Sequence, residues 1–324
     1  MKKKVLAILI CSVMTLTLAS CGGAESEDSS SADSYNVGIV QLVQHVALDS
    51  ATQGFKDALT DKLGDKVTFD EQNASGDIPT CSIICNQFVS SNVDLIMANA
   101  TPALQSAQAA TNEIPVLGTS VTDYGTALGI DDFSGTTGTN ISGTSDLAPL
   151  DEQAAMLQEL FPDASDVGIL YCSAEPNSKY QYEVVKGHLE DMGYTVKEYT
   201  FSDSNDVQAV TKLAASDCDV IYLPTDNTVA SNSEIIKNVC VPAGVPIIAG
   251  EEGICKGCGV ATLSISYYDL GYATGEMAYE ILVNGADPAT MEIEFAPKFT
   301  KKYNAEICDI LGITIPDDYI AIED

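Results

Sequence analysis

Two stretches of the chain repeat one pattern. In each, a short apolar run leads into a polar loop: residues 94–102 read DLIMANATP, and residues 219–227 read DVIYLPTDN. A second apolar run follows each loop, as IPVLG at 114–118 and as VPIIAG at 245–250. Short, continuous apolar runs are typical of strands that are buried on both faces, as in a parallel sheet covered by helices. The repeat therefore predicts two similar α/β lobes.

Apolar runs alternate with amphipathic stretches along the rest of the chain. The first half is predicted to contain helices at 47–63, 78–89 and 103–110 and strands at 37–42, 67–69, 94–98, 114–117 and 138–143. The second half is predicted to contain helices at 151–161, 178–192, 206–215, 233–239 and 267–282 and strands at 167–171, 195–199, 220–223, 245–248 and 260–265. This alternation indicates βαβ units and parallel sheets.

We therefore expect an α/β fold of two Rossmann-like lobes with parallel sheets, joined by a hinge. The expected divisions are lobe 1 at 35–145, lobe 2 at 146–265, a helix returning to lobe 1 at 266–285, and a C-terminal segment completing the lobes at 286–324.

The charge balance argues against nucleic-acid binding. The 324 residues include 15 Lys+Arg and 47 Asp+Glu, which gives a formal net charge of −32. Proteins that bind nucleic acids need a basic surface to displace counterions from the phosphates. Every basic residue is a lysine, so no guanidinium group is present to bind a carboxylate or phosphate in a bidentate manner.

The N-terminus has the features of an export signal. Lys2, Lys3 and Lys4 precede an apolar stretch at 5–18, which is shorter than the roughly 20 residues that span a bilayer. The stretch ends in LASC at 18–21, which resembles the lipobox of bacterial lipoproteins. We predict a signal peptide at 1–20, a lipid on Cys21 and a flexible acidic tether at 21–34. The protein is then expected outside the cytoplasm, anchored to the cell membrane. A buried helix or an ordinary secretory signal is the alternative.

Eight cysteines follow Cys21, and two of them form a close pair. Cys255 and Cys258 are separated by Lys256 and Gly257. This spacing is typical of a small disulfide, a redox pair or half of a zinc site. A zinc site would need a second such pair, which the sequence lacks, so no metal is expected.

Polar loops follow most of the predicted strands. In open parallel sheets, ligands bind beyond the carboxyl ends of the strands. Two facing lobes would bring these ends to one cleft. The candidate contact loops are 44–45, 99–101, 119–123, 175–178, 225–227 and 251–252.

These loops carry a resemblance to a known family. The residues concerned read VGIVQ at 37–41, ATPA at 100–103, VTD at 121–123, EPNS at 175–178, PTDNTVA at 224–230, EEG at 251–253 and YYDLG at 267–271. They resemble the solute-binding lipoproteins of ABC transporters, and among these the group that includes tryptophan-type receptors for aromatic amino acids. The resemblance implies a type I periplasmic-binding fold, in which two hinged lobes close over a small molecule. It also implies an ABC permease and its ATPase as partners. Family members often carry Glu-His-Pro where this chain has QHV at 44–46, which leaves the identity of the ligand open.

An amino acid ligand would present a carboxylate and an ammonium to the cleft. Hydroxyl groups and helix N-termini would bind the carboxylate, and the candidates are Thr101, Ser120, Asn177 and Ser178. Acidic side chains would bind the ammonium, and the candidates in order of preference are Asp226, Asp123 and Glu251. The remaining predicted contacts are Gln44, His45, Glu175 and Asn227. A flat apolar wall would come from Tyr124, Tyr171 or Tyr267.

Other interpretations of these residues and of the function stay open. Thr101, Asn177 and Asp226 precede predicted helices and are equally typical of helix N-caps. An enzyme is not expected, because the chain has two histidines and no GxSxG, HExxH or phosphate-binding loop. No cofactor is implied. The alternative function is a receptor of the same fold for a sugar or nucleoside, or a ligand sensor not coupled to transport.

Overall fold

Two parallel sheets, each covered by helices, form the core of residues 34–323, which are the residues that the computed structural model describes. The predicted signal peptide and Cys21 lie outside this range. The first sheet contains the strands β1 (Tyr35–Gln41), β2 (Val67–Asn73), β3 (Leu95–Asn99), β4 (Val116–Val121) and β5 (Ile141–Ser145). Its helices are α1 (Val46–Leu63), α2 (Ile78–Ser91), α3 (Thr101–Ala110) and α4 (Tyr124–Leu128). These elements form lobe 1.

Lobe 2 repeats the arrangement. Its strands are β6 (Asp166–Cys172), β7 (Thr195–Phe201), β8 (Val220–Leu223), β9 (Ile247–Ala249) and β10 (Ala261–Ser264). Its helices are α5 (Leu150–Leu160), α6 (Pro176–Asp191), α7 (Val207–Asp217), α8 (Asn227–Ser231), α9 (Ser233–Ala243) and α10 (Glu252–Cys258). Among residues 34–323, no helix has the length and apolar character needed to cross a membrane.

The two sheets have the same strand order. Lobe 1 is ordered β2-β1-β3-β4-β5 and lobe 2 is ordered β7-β6-β8-β9-β10, and neighbours within each series pair in parallel. The direction of winding reverses between β1 and β3 and between β6 and β8, and sheets of this kind bind ligands at that point. The α/β fold of two parallel-sheet lobes expected from the sequence is confirmed.

The rest of the chain returns to lobe 1 and then to lobe 2. Helix α11 (Tyr267–Asn284) packs along α1, and β11 (Glu294–Phe295) pairs with β5. Strand β12 (Thr300–Tyr303) lies antiparallel to β10, helix α12 (Ala305–Leu311) follows, and β13 (Ile320–Ala321) pairs with β12. The chain therefore crosses between the lobes after β5, after β10 and after β11.

Two glycines allow α1 and α11 to approach closely. A Cβ atom on Gly271 would overlap the backbone oxygen of Ala51, and one on Gly54 would overlap the backbone oxygen of Tyr268. Only glycine permits such contact between backbones. The contact fixes α11, and with it Tyr267 at its start, against lobe 1.

Four short helices were not predicted from the sequence: α12 and three others, α4, α8 and α10. Helices α4, α8 and α10 have 5, 5 and 7 residues, which is too few to show a helical period. Each is preceded by an acidic residue whose side chain accepts a hydrogen bond from a backbone N–H of the first turn, as an N-cap does; the three are Asp123, Asp226 and Glu251. The fifth strand, predicted at 138–143, lies instead at Ile141–Ser145.

The structure corrects one interpretation of the sequence, a disulfide between Cys255 and Cys258. Both side chains are buried free thiols on α10. The Cys258 thiol donates to the backbone oxygen of Ile254 at 3.4 Å, across one helical turn, and both sulfurs pack into the core of lobe 2. Burial raises the pKa of both thiols above the ordinary value, which keeps them protonated and unreactive.

Candidate functional site

The carboxyl ends of strands from both sheets meet at a narrow cavity between the lobes. It lies where the winding of each sheet reverses, the expected position for a ligand site. The lining residues are His45, Leu48, Ser120, Thr122, Asp146, Asn177, Thr225, Asp226, Asn227, Ala230, Glu251 and Tyr267.

Asp226 is the most buried of the acidic residues in the cavity wall. Its side chain caps α8 by accepting from the backbone N–H of Val229 at 2.8 Å. It also accepts from the backbone N–H of Cys172 and from the hydroxyl of Ser178, both at 2.7 Å. Burial and the nearby charge of Glu175 raise the pKa of Asp226 to about 8, although its three hydrogen bonds favour the charged form. Asp226 therefore ties β6, α6 and α8 together while presenting a carboxyl group to the cavity.

Glu175 holds the first residues of α8 from the neighbouring loop. Its Oε2 accepts from the backbone N–H and the side-chain amide of Asn227, at 3.0 and 2.6 Å. Its Oε1 accepts from the backbone N–H and the hydroxyl of Thr228, both at 2.8 Å. The carboxylate thus supports the cavity wall from behind and fixes the orientation of Asn227.

Asn177 offers the cavity an unused acceptor. Its Nδ2 donates to the backbone oxygen of Thr225 at 3.1 Å and to the hydroxyl of Ser178 at 3.2 Å. Its Oδ1 is buried and has no hydrogen-bond partner. Leaving a buried polar atom unpaired costs free energy, so a ligand donor that reaches Oδ1 would stabilise the protein.

Two more acids complete the negative part of the wall. Glu251 caps α10 and accepts from the backbone N–H of Gly253 at 2.6 Å. Asp146, one residue beyond β5, accepts from the hydroxyls of Thr122 and Tyr267 at 3.1 and 2.9 Å. Burial raises the pKa of Asp146 and raises the pKa of Glu251 to about 7.

The cavity wall holds three acidic side chains and no lysine, in a chain that lacks arginine. The remaining titratable groups in the wall are Tyr267 and His45, and burial lowers the pKa of His45. Burying negative charge without a compensating cation is unfavourable. The site therefore favours a ligand that brings a positive group.

Lobe 1 contributes hydroxyl groups that have no partner within the protein. Ser120, near the end of β4, has a φ of 54°, which is disfavoured for serine and is typical of functional sites. Its Oγ is buried without a hydrogen bond, and so is Oγ1 of Thr101, which begins α3. Hydroxyls beside a helix N-terminus suit an anionic ligand group.

A hydrogen bond joins the lobes at the cavity wall. Nε2 of His45, the residue before α1, lies 3.2 Å from Oδ1 of Asn227. Because Nδ2 of Asn227 donates to Glu175, its Oδ1 is the atom that faces His45. An amide oxygen only accepts, so His45 donates from Nε2.

The structure brings many of the predicted contacts together, but not all. The predicted contacts that line the cavity are His45, Ser120, Asn177, Asp226, Asn227 and Glu251, with Tyr267 as a wall. Glu175 and Ser178 support this wall from behind, and Thr101 is buried at the start of α3. Gln44 is exposed, and Asp123 caps α4 through the backbone N–H of Thr126 at 2.7 Å. Tyr124 and Tyr171 do not line the cavity; their hydroxyls donate to the backbone oxygen of Thr144 and to Glu198.

Some lining residues were not named from the sequence. Thr122 and Thr225 fall within the predicted contact loops, but Asp146 does not. A strand predicted to end at Ser145 rather than at Gly143 would have placed Asp146 at the carboxyl end of a strand, where ligand contacts are expected. Leu48 and Ala230 lie in α1 and α8, where apolar side chains are ordinarily assigned to the core.

Comparison with known proteins agrees with this geometry. Residues 36–323 match the family described as ABC transporter substrate binding protein. The chain is 39% identical over 292 residues to the tyrosine-binding protein of Clostridioides difficile (strain R20291). This match covers 86% of this chain and 84% of that protein. The crystal structure of an ABC domain from Streptococcus pneumonia in complex with L-Trp is 31% identical, with a TM-score of 0.84, over 88% of this chain and 97% of that chain.

A further structure shows how the lobes of a relative are arranged without ligand. The ligand-free, open structure of CD0873, a substrate-binding protein from Clostridium difficile, is 36% identical, with a TM-score of 0.68, over 89% of this chain and 99% of that chain. The present structure is closer in shape to the L-Trp complex, although it is less identical to it in sequence. Its lobes meet at the cavity, where His45 and Asn227 are hydrogen-bonded.

The matched relatives are solute-binding proteins and not enzymes. The family match covers nearly all of the described residues, and the candidate site is a cavity between two lobes. The chain therefore belongs to the substrate-binding proteins of ABC transporters, which capture a small molecule outside the cytoplasm for their transporter.

Proposed function

We propose that this protein binds an aromatic amino acid between its lobes and delivers it to an ABC permease. The observation that carries the proposal is the polarity of the cavity. The wall contains three buried acidic side chains and no lysine. Lobe 1 adds buried hydroxyl groups that have no hydrogen-bond partner in the protein. An α-amino acid has the complementary groups, an ammonium and a carboxylate. Relatives named for tyrosine binding and crystallised with L-Trp support an aromatic side chain.

The ammonium is assigned to the wall from lobe 2. Oδ1 of Asn177 is a buried acceptor without a partner, and the carboxyl groups of Asp226 and Glu251 line the same cavity. An ammonium has three N–H donors, enough to bond Asn177 and two carboxylates. Each hydrogen bond to a charged group contributes about 1.5–3 kcal/mol. Asp146 adds negative charge at the crossover between the lobes.

The carboxylate of the ligand is assigned to lobe 1. The hydroxyls of Ser120 and Thr101 are buried, unpartnered donors. Thr101 also begins α3, a helix of 10 residues whose N-terminus attracts negative charge. A ligand held in this way bridges the two lobes.

The aromatic ring is assigned to the apolar part of the wall. Leu48, Ala230 and the ring of Tyr267 line the cavity, and aromatic rings gain from both apolar burial and edge or face contact.

Bridging the lobes explains how binding would signal to the transporter. A ligand shifts the protein toward the form to which it binds more tightly, and here the closed form supplies contacts from both lobes. The permease is then expected to receive the closed form.

A thermal-shift screen tests the proposed ligand class. The protein, refolded to remove bound ligand, is screened against the standard amino acids, sugars and nucleosides. A ligand at about 100 times its Kd adds about 2.7 kcal/mol of stability, which raises Tm by several degrees in a protein of this size. We expect the largest shift with tyrosine, tryptophan or phenylalanine. A response confined to sugars or nucleosides would contradict the proposal.

Membrane attachment is assigned to a lipid on Cys21. The support is the sequence LASC at 18–21 after a basic and apolar leader, together with the extracytoplasmic role of the family. In a bacterial host, the wild-type protein is expected in the membrane fraction and the Cys21→Ala variant in the soluble fraction. A variant that remains with the membrane would contradict this assignment.

A further inference from the structure

We propose that His45 and Asn227 form a latch between the lobes, which sets how long the ligand stays bound. The inference rests on the proposed function, because it concerns the closed form that holds the ligand. Their direct bond across the cleft gives both residues a role other than the ligand contact predicted from the sequence.

The His45–Asn227 bond has a special position in the molecule. Within residues 34–323, it is the one side-chain hydrogen bond that joins the lobes away from the crossover segments. The bonds from Thr122 and Tyr267 to Asp146 lie at the crossovers themselves. No ion pair of the described residues spans the cleft. Breaking this bond would therefore remove the specific polar contact that opposes opening at the far side of the cleft.

Lobe 2 holds its half of the latch in position. The backbone N–H and the side-chain amide of Asn227 both donate to Glu175. The amide is thereby oriented with Oδ1 toward His45, and these bonds lie wholly within lobe 2. They persist when the lobes separate.

Lobe 1 presents a side chain with no competing partner. His45 precedes α1 but makes no side-chain cap bond to it. Among the described residues, Asn227 is the one hydrogen-bond partner of its imidazole. When the lobes separate, the His45 imidazole would have only water as a hydrogen-bond partner. The bond to Asn227 therefore exists only in the closed form.

The latch lies at the boundary between the ligand cavity and an open cleft. Asn227 lines the ligand cavity and also a wider cleft of about 320 Å³, whose other walls include Val43, Ser75 and Ser202. Asp146 and Tyr267 close the crossover side of the cavity. Separation of His45 from Asn227 would connect the ligand cavity with this cleft and open a route for release.

Ligand dissociation kinetics test the latch, with L-tryptophan as the probe. The chain contains no tryptophan, so indole fluorescence in a stopped-flow experiment comes from the ligand. We expect His45→Ala and Asn227→Ala each to raise koff about three- to tenfold, the factor expected for one hydrogen bond, with little change in kon. The double variant should dissociate no faster than the faster single variant, because both changes remove one interaction.

Two further variants separate a latch from a merely structural role. His45→Gln keeps an N–H donor of similar reach and is expected to restore a koff near that of the wild type. His188→Ala changes the other histidine of the chain and is expected to leave koff unchanged. The Tm of the ligand-free His45→Ala variant should match that of the wild type, because the open form lacks the bond.

The outcomes distinguish this inference from the proposed function. Wild-type protein that binds neither L-tryptophan nor L-tyrosine would contradict the proposed function and the latch with it. Binding by the wild type with an unchanged koff in His45→Ala would overturn the latch alone. Additive effects in the double variant, or a failure of His45→Gln to restore koff, would also overturn it.

Discussion

Lobe 1 and lobe 2 offer opposite chemistry to one cavity, although their sheets have the same strand order. Lobe 1 contributes the unpartnered hydroxyl of Ser120, whereas lobe 2 contributes the carboxyl groups of Asp226 and Glu251 and the free amide oxygen of Asn177. The difference lies in the loops and not in the scaffold. A repeated fold can therefore bind the two opposite charges of one ligand, since function resides in sites built on the fold.

The loops after the third strand of each sheet show how this difference arises. After β3, the chain enters α3 without a side-chain cap, and the Thr101 hydroxyl is unpaired. After β8, Asp226 caps α8 with its own carboxylate. An uncapped N-terminus has free N–H groups and attracts an anion, whereas a carboxylate cap satisfies those groups and adds negative charge. The two loops thus differ in the charge that they favour at the start of the following helix.

Removing a charge from the lobe 2 wall is expected to have the largest effect on binding. Glu251→Gln keeps an amide oxygen to cap α10 but loses a charged acceptor for the ammonium. We expect affinity for L-tyrosine or L-tryptophan to fall about tenfold or more, measured by isothermal titration calorimetry. Glu252→Gln is the matched control, because Glu252 pairs with Lys302 at 2.7 Å and does not line the cavity. Equal losses in both variants would contradict the assignment to Glu251.

The lobes are also expected to differ in their tolerance of added side-chain volume. Gly271→Ala inserts a methyl group against the backbone of Ala51 in lobe 1, and overpacking of this kind destabilises by about 1–3 kcal/mol. Gly187 lies in α6 of lobe 2 with no atom within 4 Å of an added Cβ. Gly187→Ala is expected to stabilise by up to about 1 kcal/mol, since alanine favours the helix.

Urea unfolding of the ligand-free protein checks both glycine variants. If Gly271→Ala were as stable as the wild type, the close contact between α1 and α11 would not exist in solution.

A hydroxyl on the lobe 1 wall is expected to contribute to binding but not to stability. Ser120→Ala removes a donor that has no partner in the protein, so affinity should fall about three- to tenfold while the ligand-free Tm is retained. Thr262→Val is the control, because the Thr262 hydroxyl is also buried and unpartnered but lies away from the cavity. A variant of Ser120 that binds as the wild type does would place the carboxylate elsewhere.

The pH dependence of affinity is expected to reflect the lobe 2 wall. An ammonium binds the ionised form of Glu251, so affinity should be lost as pH falls through its pKa of about 7. We expect a decrease of several-fold between about pH 8 and about pH 6, with a contribution from Asp226, whose pKa is raised to about 8. The decrease should be shallower in Glu251→Gln. An affinity that rises on acidification would contradict the model of an ammonium between carboxylates.

The fold could be predicted from the sequence because its signal is local. Apolar runs such as those at 94–97 and 219–222 predict buried strands without any knowledge of the neighbouring strands. The repetition of these runs indicated two lobes. Helices α8 and α10 escaped prediction because 5 and 7 residues show no period. The Cys255–Cys258 spacing left a disulfide open as one alternative, but both residues are free thiols on one short helix.

The site could be predicted only in part, because it depends on how the lobes meet. Asp123, Asp226 and Glu251 were the candidates for the ammonium, and all three act as helix caps. Two of them line the cavity and Asp123 does not, a distinction set by the packing of one lobe on the other. Asp146 was missed because its place depends on where β5 ends. His45 and Asn227 are 182 positions apart in the sequence. No local sequence pattern can predict a contact between residues so far apart.

The central claim is that lobe 1 and lobe 2 each hold one charge of a zwitterion. Calorimetry with L-tryptophan, tryptamine and indole-3-propionic acid tests it most directly, because the two analogues lack the carboxylate and the amine respectively. We predict that the amino acid binds and that each analogue binds at least about tenfold more weakly. An analogue that binds as tightly as L-tryptophan would show that one of the two walls does not hold its assigned charge, and would contradict the account.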